Sequence, residues 1–136
     1  MPNAYFPSRP GGTGPAYDRL NGQGIYFLRN PAENMRIEYV GRGDAPQRLF
    51  EHARHGSGKD DLIGEILFNN NLADQLAQSL EFELMNMLGG PISVNPNTSL
   101  RNKIQVFAES NPDFLRKEFA ADDGLVIEAL RRAKIL

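Results

Sequence analysis

The chain has 136 residues, a formal net charge of −2 and no cysteine. This length fits one domain with its own hydrophobic core, and the lack of cysteine excludes disulfides, zinc sites built on thiolates and a cysteine nucleophile. With only His52 and His55 available, a catalytic metal would be an ion such as Mg²⁺ on carboxylate oxygen. The small net charge indicates no global attraction to nucleic acid but is compatible with a local basic groove.

The first 20 residues are rich in Pro, Gly and Ser and show no apolar periodicity. This composition predicts a flexible leader or linker over residues 1–20, followed by a single domain over residues 21–136. No apolar run approaches the roughly 18 to 20 residues that would span a bilayer, and the N-terminus has no apolar stretch of the signal-peptide kind. We therefore expect neither membrane residence nor Sec-dependent export.

Two runs of β-branched and aromatic residues come next, Ile25–Arg29 and Arg36–Val40. They are separated by the segment NPAENM, whose Asn30-Pro31 pair favours a turn. This pattern predicts a β-hairpin. Gly41 and Gly43 are predicted to interrupt its second strand.

The segment DAPQRLFEHARHG has the features of a helix. Asp44 is suited to the N-cap, Pro46 to the first turn and Gly56 to the stop. Arg48 and His52 are four residues apart, so a helix would project them side by side on one face.

The segment LIGEILF, residues 62–68, is short and branched and is followed by three asparagines, which predicts a third strand. A longer helix is predicted from Leu72 to Leu88, where leucines recur every three to four residues before a Gly-Gly-Pro stop. Two amphipathic stretches, Asp113–Phe119 and Gly124–Ile135, predict additional C-terminal helices. The order β-β-α-β-α followed by helices predicts a small α+β domain.

Two motifs in the predicted hairpin, GIY at residues 24–26 and YVG at residues 39–41, resemble the signature of the GIY-YIG nuclease superfamily. In that family these strands belong to a small three-stranded antiparallel sheet, the next helix carries an arginine and often a histidine, and a later helix carries a glutamate. The likeness spans residues 24–102. It implies an endonuclease that hydrolyses phosphodiester bonds with Mg²⁺, for which Mn²⁺ is an alternative ion.

The resemblance implies a catalytic role for five side chains. Tyr26 would activate the attacking water, for which a cation must favour tyrosinate because a free phenol titrates near pH ~10. Tyr39 would polarise the water or bind phosphate, Arg48 would hold the phosphate, and His52 would donate to the phosphate or leaving group. Glu81 would be the single direct protein ligand of the metal. For each residue alone, core packing or a solvated surface position is the competing interpretation.

Two assignments stay open in the sequence. Glu83 lies two residues from Glu81 and nearer the apolar centre of its helix by periodicity, whereas the family pattern E-x-x-L-I favours Glu81. The family also uses an asparagine after the glutamate helix; the likeness of NKI favours Asn102 and the shorter distance favours Asn95, with Asn97 as a third candidate. Candidate cations for the nucleic-acid backbone are Arg42, Lys59, Arg101 and Lys103.

The stretch LGG…NPNTSLRNKIQVFAESNPDF, residues 88–114, is similar to GIY-YIG domains at the C-termini of bacterial polymorphic toxins. This narrower resemblance implies an interbacterial effector that acts on nucleic acid, with DNA as the expected substrate. Such a toxin would be delivered by a specialised secretion system and would act in the cytoplasm of the target cell. It would also have a cognate immunity protein in the producing cell.

Two other functions stay open. One is a cytoplasmic repair, restriction or mobile-element nuclease, although no DNA-reading module is visible beside the nuclease motifs. The other is a binding module that keeps the fold without catalysis. The joint presence of the five proposed catalytic residues argues against the binding module.

Overall fold

A computed structural model describes residues 22–103 and 123–136, and the predicted leader over residues 1–20 lies outside them. The described chain contains a three-stranded antiparallel sheet with helices, which confirms the predicted α+β class. The strand order is β2-β1-β3, so the first strand is central. The strands are β1 (Gln23–Asn30), β2 (Arg36–Gly43) and β3 (Ile63–Leu72), and the α-helices are α1 (Ala45–Ala53), α2 (Asp74–Met87) and α3 (Asp123–Arg132).

The predicted hairpin forms, and its turn is held by local contacts. The expected interruption of the second strand at Gly41 is wrong, because β2 continues in register with β1 to Gly43. Asn30 Oδ1 accepts a hydrogen bond from the Ala32 N–H at 2.9 Å, and Pro31 starts a single turn of 3-10 helix. Asn34 and Met35 then take φ values of 57° and 60°. These left-handed conformations turn the chain back into β2.

The third strand is longer than predicted. It continues to Leu72 instead of ending after LIGEILF, and it pairs antiparallel with β1. Asn70, expected in a turn, lies within this strand at a φ of 60°. Its side chain accepts from the Ala45 N–H at 2.9 Å and donates to Asp44 Oδ1 at 3.1 Å. The asparagine therefore fastens the end of β3 to the start of α1.

Helix α1 begins as predicted. The Asp44 carboxylate caps it by accepting a hydrogen bond from the Gln47 N–H at 3.3 Å, and a proline occupies the first turn. The helix ends at Ala53, a few residues before the predicted stop at Gly56, which has a φ of +89°. The Asp44 cap therefore predicts the start of the helix correctly. Gly56 predicts its end less closely.

The later helices begin close to their predicted positions. Helix α2 begins at Asp74 instead of Leu72, because Leu72 is the last residue of β3. Helix α3 corresponds to the predicted Gly124–Ile135 helix but ends at Arg132. The predicted helix Asp113–Phe119 lies outside the described residues. Within the described ranges, no helix is long and apolar enough to cross a membrane.

Both faces of the sheet are covered, which explains the nearly continuous apolar run of β1. Ile25 and Phe27 belong to the main core, which they share with α2 and α3. Tyr26 and Leu28 belong to a smaller cluster with Ala45 of α1. The two sets alternate because successive side chains of a strand point to opposite faces. Tyr26 therefore lies on the α1 side of the sheet.

The outer edge of β2 is occupied by residues 100–103. Asn102 Oδ1 accepts from the Val40 N–H at 3.1 Å, and Asn102 Nδ2 donates to the Val40 carbonyl at 2.8 Å. Beside it, the Arg101 N–H donates to the Glu38 carbonyl at 2.6 Å. Since buried backbone groups need partners, these contacts complete the β2 edge.

A buried carboxylate, Glu38, lies at this edge with 3% of the residue exposed. It accepts hydrogen bonds from Arg36 Nε at 2.9 Å, Asn30 Nδ2 at 3.1 Å and Arg101 Nε at 3.1 Å. Burial alone would raise the pKa of Glu38, but these hydrogen bonds outweigh burial and hold the pKa below its usual 4.5. Glu38 thus joins the hairpin turn, β2 and residues 100–103.

Glu38→Gln should lower the free energy of unfolding at neutral pH by about 2–4 kcal/mol, because two guanidinium groups lose a buried anionic partner. The folded pKa of Glu38 lies below its unfolded value, so this stabilisation is present above about pH 4.5 and is lost as the pH falls through the folded pKa. Urea denaturation over a pH series should therefore show the difference between wild type and variant shrinking in acid.

Glu33→Gln is the control for this prediction. Glu33 is half exposed and lies 3.8 Å from Arg36, a weak surface pair. Equal losses of stability in the two variants at neutral pH would contradict the role given to Glu38.

Candidate active site

Three rings from separate elements meet on the α1 side of the sheet. The Tyr26 hydroxyl lies 2.8 Å from His52 Nε2, a hydrogen-bond distance. The His52 ring centroid is 5.6 Å from that of Tyr26 and 5.3 Å from that of Tyr39, and the two tyrosine centroids are 6.3 Å apart. Strands β1 and β2 and helix α1 each supply one ring, so three residues singled out from the sequence lie together.

Gly41 makes room for the Tyr26 ring. The two residues face each other in the pairing of β1 with β2, and a Cβ at position 41 would overlap Cζ, Oη and Cε2 of Tyr26. The ring therefore lies across the Gly41 backbone, and 2% of Tyr26 is exposed. The glycine of the YVG motif is needed because a side chain approaches its backbone closely.

The protonation states of the rings follow from burial and nearby charge. Burial raises the pKa of Tyr26 above its ordinary value of 10, and the attraction of Arg48 does not offset this. Burial also raises the pKa of Tyr39. Burial lowers the pKa of His52 below 6.5, and the charges of Lys59 and Arg48 lower it further. Near neutral pH the contacting pair is therefore a protonated phenol and a neutral imidazole, which can accept a proton at Nε2 in the tautomer that carries its hydrogen on Nδ1.

Two cations border the rings. Lys59 Nζ lies 4.9 Å from the centroid of the Tyr39 ring, within cation–π distance. Arg48 lies one helical turn before His52, and its contact with Glu51 is 3.9 Å long, beyond hydrogen-bond distance. The Arg48 side chain is half exposed. An exposed guanidinium and an ammonium beside a polar ring cluster can bind an anion such as phosphate.

Helix α2 brings one carboxylate to the same region. Glu81 Oε1 accepts a hydrogen bond from Arg42 Nε at 2.9 Å, and 12% of the Glu81 side chain is exposed. Burial raises the pKa of Glu81, although Arg42 opposes this. The charge of Glu81 acts on Tyr26 and Tyr39. This electrostatic interaction favours Glu81 among the two glutamates left open by the sequence.

The chemistry of the donors fits a lightly coordinated magnesium ion. Arg42 occupies Oε1 of Glu81, so Oε2 is the oxygen that could bind a metal. Across residues 22–103 and 123–136, no group of three or more His, Asp or Glu residues could form an all-protein metal cage. Mg²⁺ is commonly held by one carboxylate together with waters and substrate oxygens, and Mn²⁺ shares the preference for oxygen ligands.

The candidate asparagines make hydrogen bonds with the backbone. Asn102 uses both atoms of its amide to pair with Val40. Asn95 donates to the Gly89 carbonyl at 3.0 Å and accepts from the Asn97 N–H at 3.0 Å. In this structure Asn102 therefore holds the edge of β2, and Asn95 shapes the turn after α2.

The four candidate cations fall into different environments. Lys59 borders the rings and Arg42 binds the carboxylate of α2. The Arg101 guanidinium donates to both carboxylate oxygens of Asp61, at 3.0 and 2.7 Å, while Lys103 is exposed. The sequence analysis did not single out Asp61, because an ion pair between residues 40 positions apart leaves no periodic signal.

Comparison of the chain with protein-family models, with curated proteins and with solved structures finds no match. The likeness to GIY-YIG nucleases therefore stays an interpretation of the sequence motifs. The function has to be inferred from a phenol–imidazole pair, two bordering cations and one partly buried carboxylate.

Gly41→Ala should displace the Tyr26 ring, because the new methyl group would overlap three of its atoms. We expect the free energy of unfolding to fall by about 1–3 kcal/mol, the usual cost of overpacking. The imidazole NMR signals of His52 should shift as its 2.8 Å contact with Tyr26 is lost.

Gly64→Ala is the matched control for this substitution. Its methyl group would meet the movable end of the Leu49 side chain instead of a ring, so the His52 signals should change much less. If the His52 signals of the Gly41→Ala protein matched those of the wild type, the packing of Tyr26 on Gly41 would not be what holds Tyr26 and His52 in contact.

Proposed function

We propose that this chain is a metal-dependent endonuclease that hydrolyses phosphodiester bonds, with DNA as the expected substrate. The observation that carries the proposal is the 2.8 Å contact between the Tyr26 hydroxyl and His52 Nε2. Hydrolysis needs a proton acceptor for the attacking water, positive charge for the phosphate and stabilisation of the leaving oxygen. The residues around this contact offer a group for each of these tasks.

The contacting pair is suited to accept the proton of the attacking water. The Tyr26 phenol is protonated and the His52 imidazole is neutral at neutral pH, because burial shifts their pKa values in opposite directions. In the proposed step a water proton passes to the Tyr26 oxygen while the phenol proton passes to His52 Nε2. As the water oxygen bonds to phosphorus, the bond from phosphorus to the leaving oxygen breaks, and that oxygen takes up a proton from solvent.

The phosphate charge would be met by Arg48 and Lys59. Both lie beside the rings, and the half-exposed Arg48 has only a long contact to Glu51 among its recorded ion pairs. A guanidinium can hold two phosphate oxygens at once, and an ammonium adds a second positive charge. This assigns the anion-binding role to Arg48 and Lys59 and leaves His52 free to act as a base.

Glu81 is the residue that would hold the metal, and Arg42 orients it. When bound, the ion would supply positive charge at the phosphate and the leaving oxygen. The Arg42 guanidinium, which also lies 3.4 Å from Asp74, holds the Glu81 carboxylate by its Oε1 atom. A carboxylate that is already oriented loses less entropy on binding an ion than a mobile one.

The central experiment is cleavage of plasmid DNA by the purified chain with Mg²⁺, with Mn²⁺ and with a chelator. We expect cleavage that requires the divalent ion and is lost in Glu81→Gln, whereas the matched control Glu83→Gln should retain it. The opposite result for the two glutamates would overturn the choice of metal ligand.

RNA is tested in parallel, and a preference for RNA would change the substrate but not the reaction. Failure to cleave either polymer would overturn the enzyme proposal and favour a binding module.

Tyr26→Phe and His52→Gln should each lower kcat by about 10²–10⁴-fold, because the proton relay needs both groups. His55→Gln is the control, since the fully exposed His55 lies outside the ring cluster. A large loss in His52→Gln together with near-normal cleavage in Tyr26→Phe would show that His52 accepts the proton without Tyr26.

The cleavage rate should fall in acid with a midpoint below pH 6.5, because the base must be neutral and the pKa of His52 is lowered below that value. The rate should therefore stay near its maximum at neutral pH. Lys59→Met removes a positive charge that lowers the pKa of His52, so its acid limb should move to higher pH. An acid limb that does not move in Lys59→Met would contradict the assignment of the base to His52.

We propose further that the nuclease is the toxin domain of an interbacterial effector that acts in the cytoplasm of the target cell. The part of the toxin-like stretch that the structure describes is built into the fold, since Arg101 and Asn102 both bond to β2. The product of the gene immediately downstream, if it is the immunity protein, should bind this chain and abolish cleavage. A neighbouring product without that effect would favour a repair, restriction or mobile-element nuclease.

A further inference from the structure

The loop between α1 and β3, residues 54–62, carries Lys59 to the ring cluster. Lys59 Nζ lies 4.9 Å from the centroid of the Tyr39 ring, and its charge acts on His52. Gly56 and Gly58 of this loop have φ values of +89° and +84°. Such a glycine-containing loop has many accessible backbone conformations. On the α1 side they are restricted by Ser57 Oγ, which accepts from the Lys59 N–H at 3.0 Å and donates to the His52 carbonyl at 2.6 Å.

Arg101 holds the loop from the opposite side, through residues before and after Lys59. Its NH1 and NH2 groups donate to the two carboxylate oxygens of Asp61 at 3.0 and 2.7 Å, and NH1 also donates to the Gly58 carbonyl at 3.1 Å. The same guanidinium donates from Nε to Glu38 Oε1 at 3.1 Å. One side chain therefore connects β2, through Glu38, with loop residues before and after Lys59.

Arg101 is itself held in place by the sheet. Its backbone N–H donates to the Glu38 carbonyl at 2.6 Å, and the next residue, Asn102, pairs with Val40 through both amide atoms. The Arg101 guanidinium makes four recorded hydrogen bonds within the protein. Because it is engaged in this way, its geometry suits an anchor better than a phosphate contact.

We propose that Arg101 and Asp61 are positioning residues that clamp the α1–β3 loop and so hold Lys59 beside Tyr39 and His52. Their effect on cleavage rests on the proposed nuclease function, whereas the clamp itself is a property of the free protein. Among the described residues, the Asp61 side chain pairs with Arg101 and not with any of the three rings. Its effect on the rings is therefore exerted through Lys59. Loss of the clamp should therefore reproduce the loss of Lys59.

The first experiment follows the pKa of His52 by NMR in the free protein. The groups that act on His52 are Lys59 from the loop and Arg48 and Glu51 from α1, and its ring faces both tyrosines. Lys59→Met should raise the pKa of His52, and Asp61→Ala should raise it as well. The double variant should show no further rise beyond Lys59→Met.

The direction of the Asp61→Ala shift is diagnostic. Simple removal of a negative charge would lower the pKa of a nearby histidine, whereas release of Lys59 removes a positive charge from its surroundings and raises it. A fall, or no change, in the pKa of His52 would overturn the clamp.

Asp60→Ala is the matched control, because this adjacent acid forms its ion pair with His55 and not with Arg101. Asp61→Asn is the second variant, which keeps one acceptor oxygen and should show a smaller rise.

The second experiment measures cleavage in the same variants. Lys59→Met and Asp61→Ala should each lower kcat/KM roughly tenfold to a hundredfold, the range expected when a contact group is lost or misplaced. Because Asp61 acts through Lys59, the double variant should be no worse than Lys59→Met. Additive losses would overturn the clamp. If the wild-type chain cleaves no nucleic acid, the nuclease proposal fails, while the NMR experiment still decides whether the clamp exists.

Discussion

The packing of the Tyr26 ring across the backbone of Gly41 is the constraint on which the ring cluster depends. The two residues are opposite each other in the hairpin, and the ring occupies the space that a side chain at position 41 would need. Because the phenol is then buried, its hydroxyl needs a polar partner, which His52 supplies from α1 at 2.8 Å. Helix α1 is held over this face by the contacts of Asn70 with Asp44 and the Ala45 N–H.

Buried polar groups at the β2 edge connect this cluster to the rest of the chain. The Asn102 amide takes the place of a neighbouring strand by pairing with both backbone groups of Val40. The Glu38 carboxylate is stabilised by Arg36, Asn30 and Arg101, which lowers its pKa in spite of burial. These groups are costly to bury alone and favourable only together, so the edge of the sheet has one well-defined arrangement.

The ring cluster contains groups whose environments disfavour their charged forms. Burial raises the pKa values of Tyr26 and Glu81 and lowers that of His52. The shift of Glu81 costs stability at neutral pH, where this carboxyl group is charged in the unfolded chain. Perturbed pKa values concentrate at sites with a chemical or binding role. The Glu81 carboxylate, whose charge acts on both phenols, and the neutral imidazole support the proposed chemical role, because apolar residues at these positions would give more stability.

Local patterns in the sequence were sufficient to predict the hairpin, the start of α1 and the helix α3. The turn at Asn30 and the cap at Asp44 depend on residues a few positions apart, and such contacts leave a readable pattern. The third strand was predicted too short, because the asparagines that normally favour a turn find tertiary partners in α1. The resemblance of the motifs to a known family also implied that Tyr26, Tyr39 and His52 belong to one site.

The tertiary structure alone decided which of several similar side chains belong to the cluster. Arg42 pairs with Glu81 across 39 positions, Asn102 with Val40 across 62 and Arg101 with Glu38 across 63. The amino-acid sequence by itself determined the hairpin, the helix cap and the set of polar residues available for a site. The fold determined whether each polar residue faces the rings, completes a sheet edge or anchors a loop, because long-range pairing has no period along the chain.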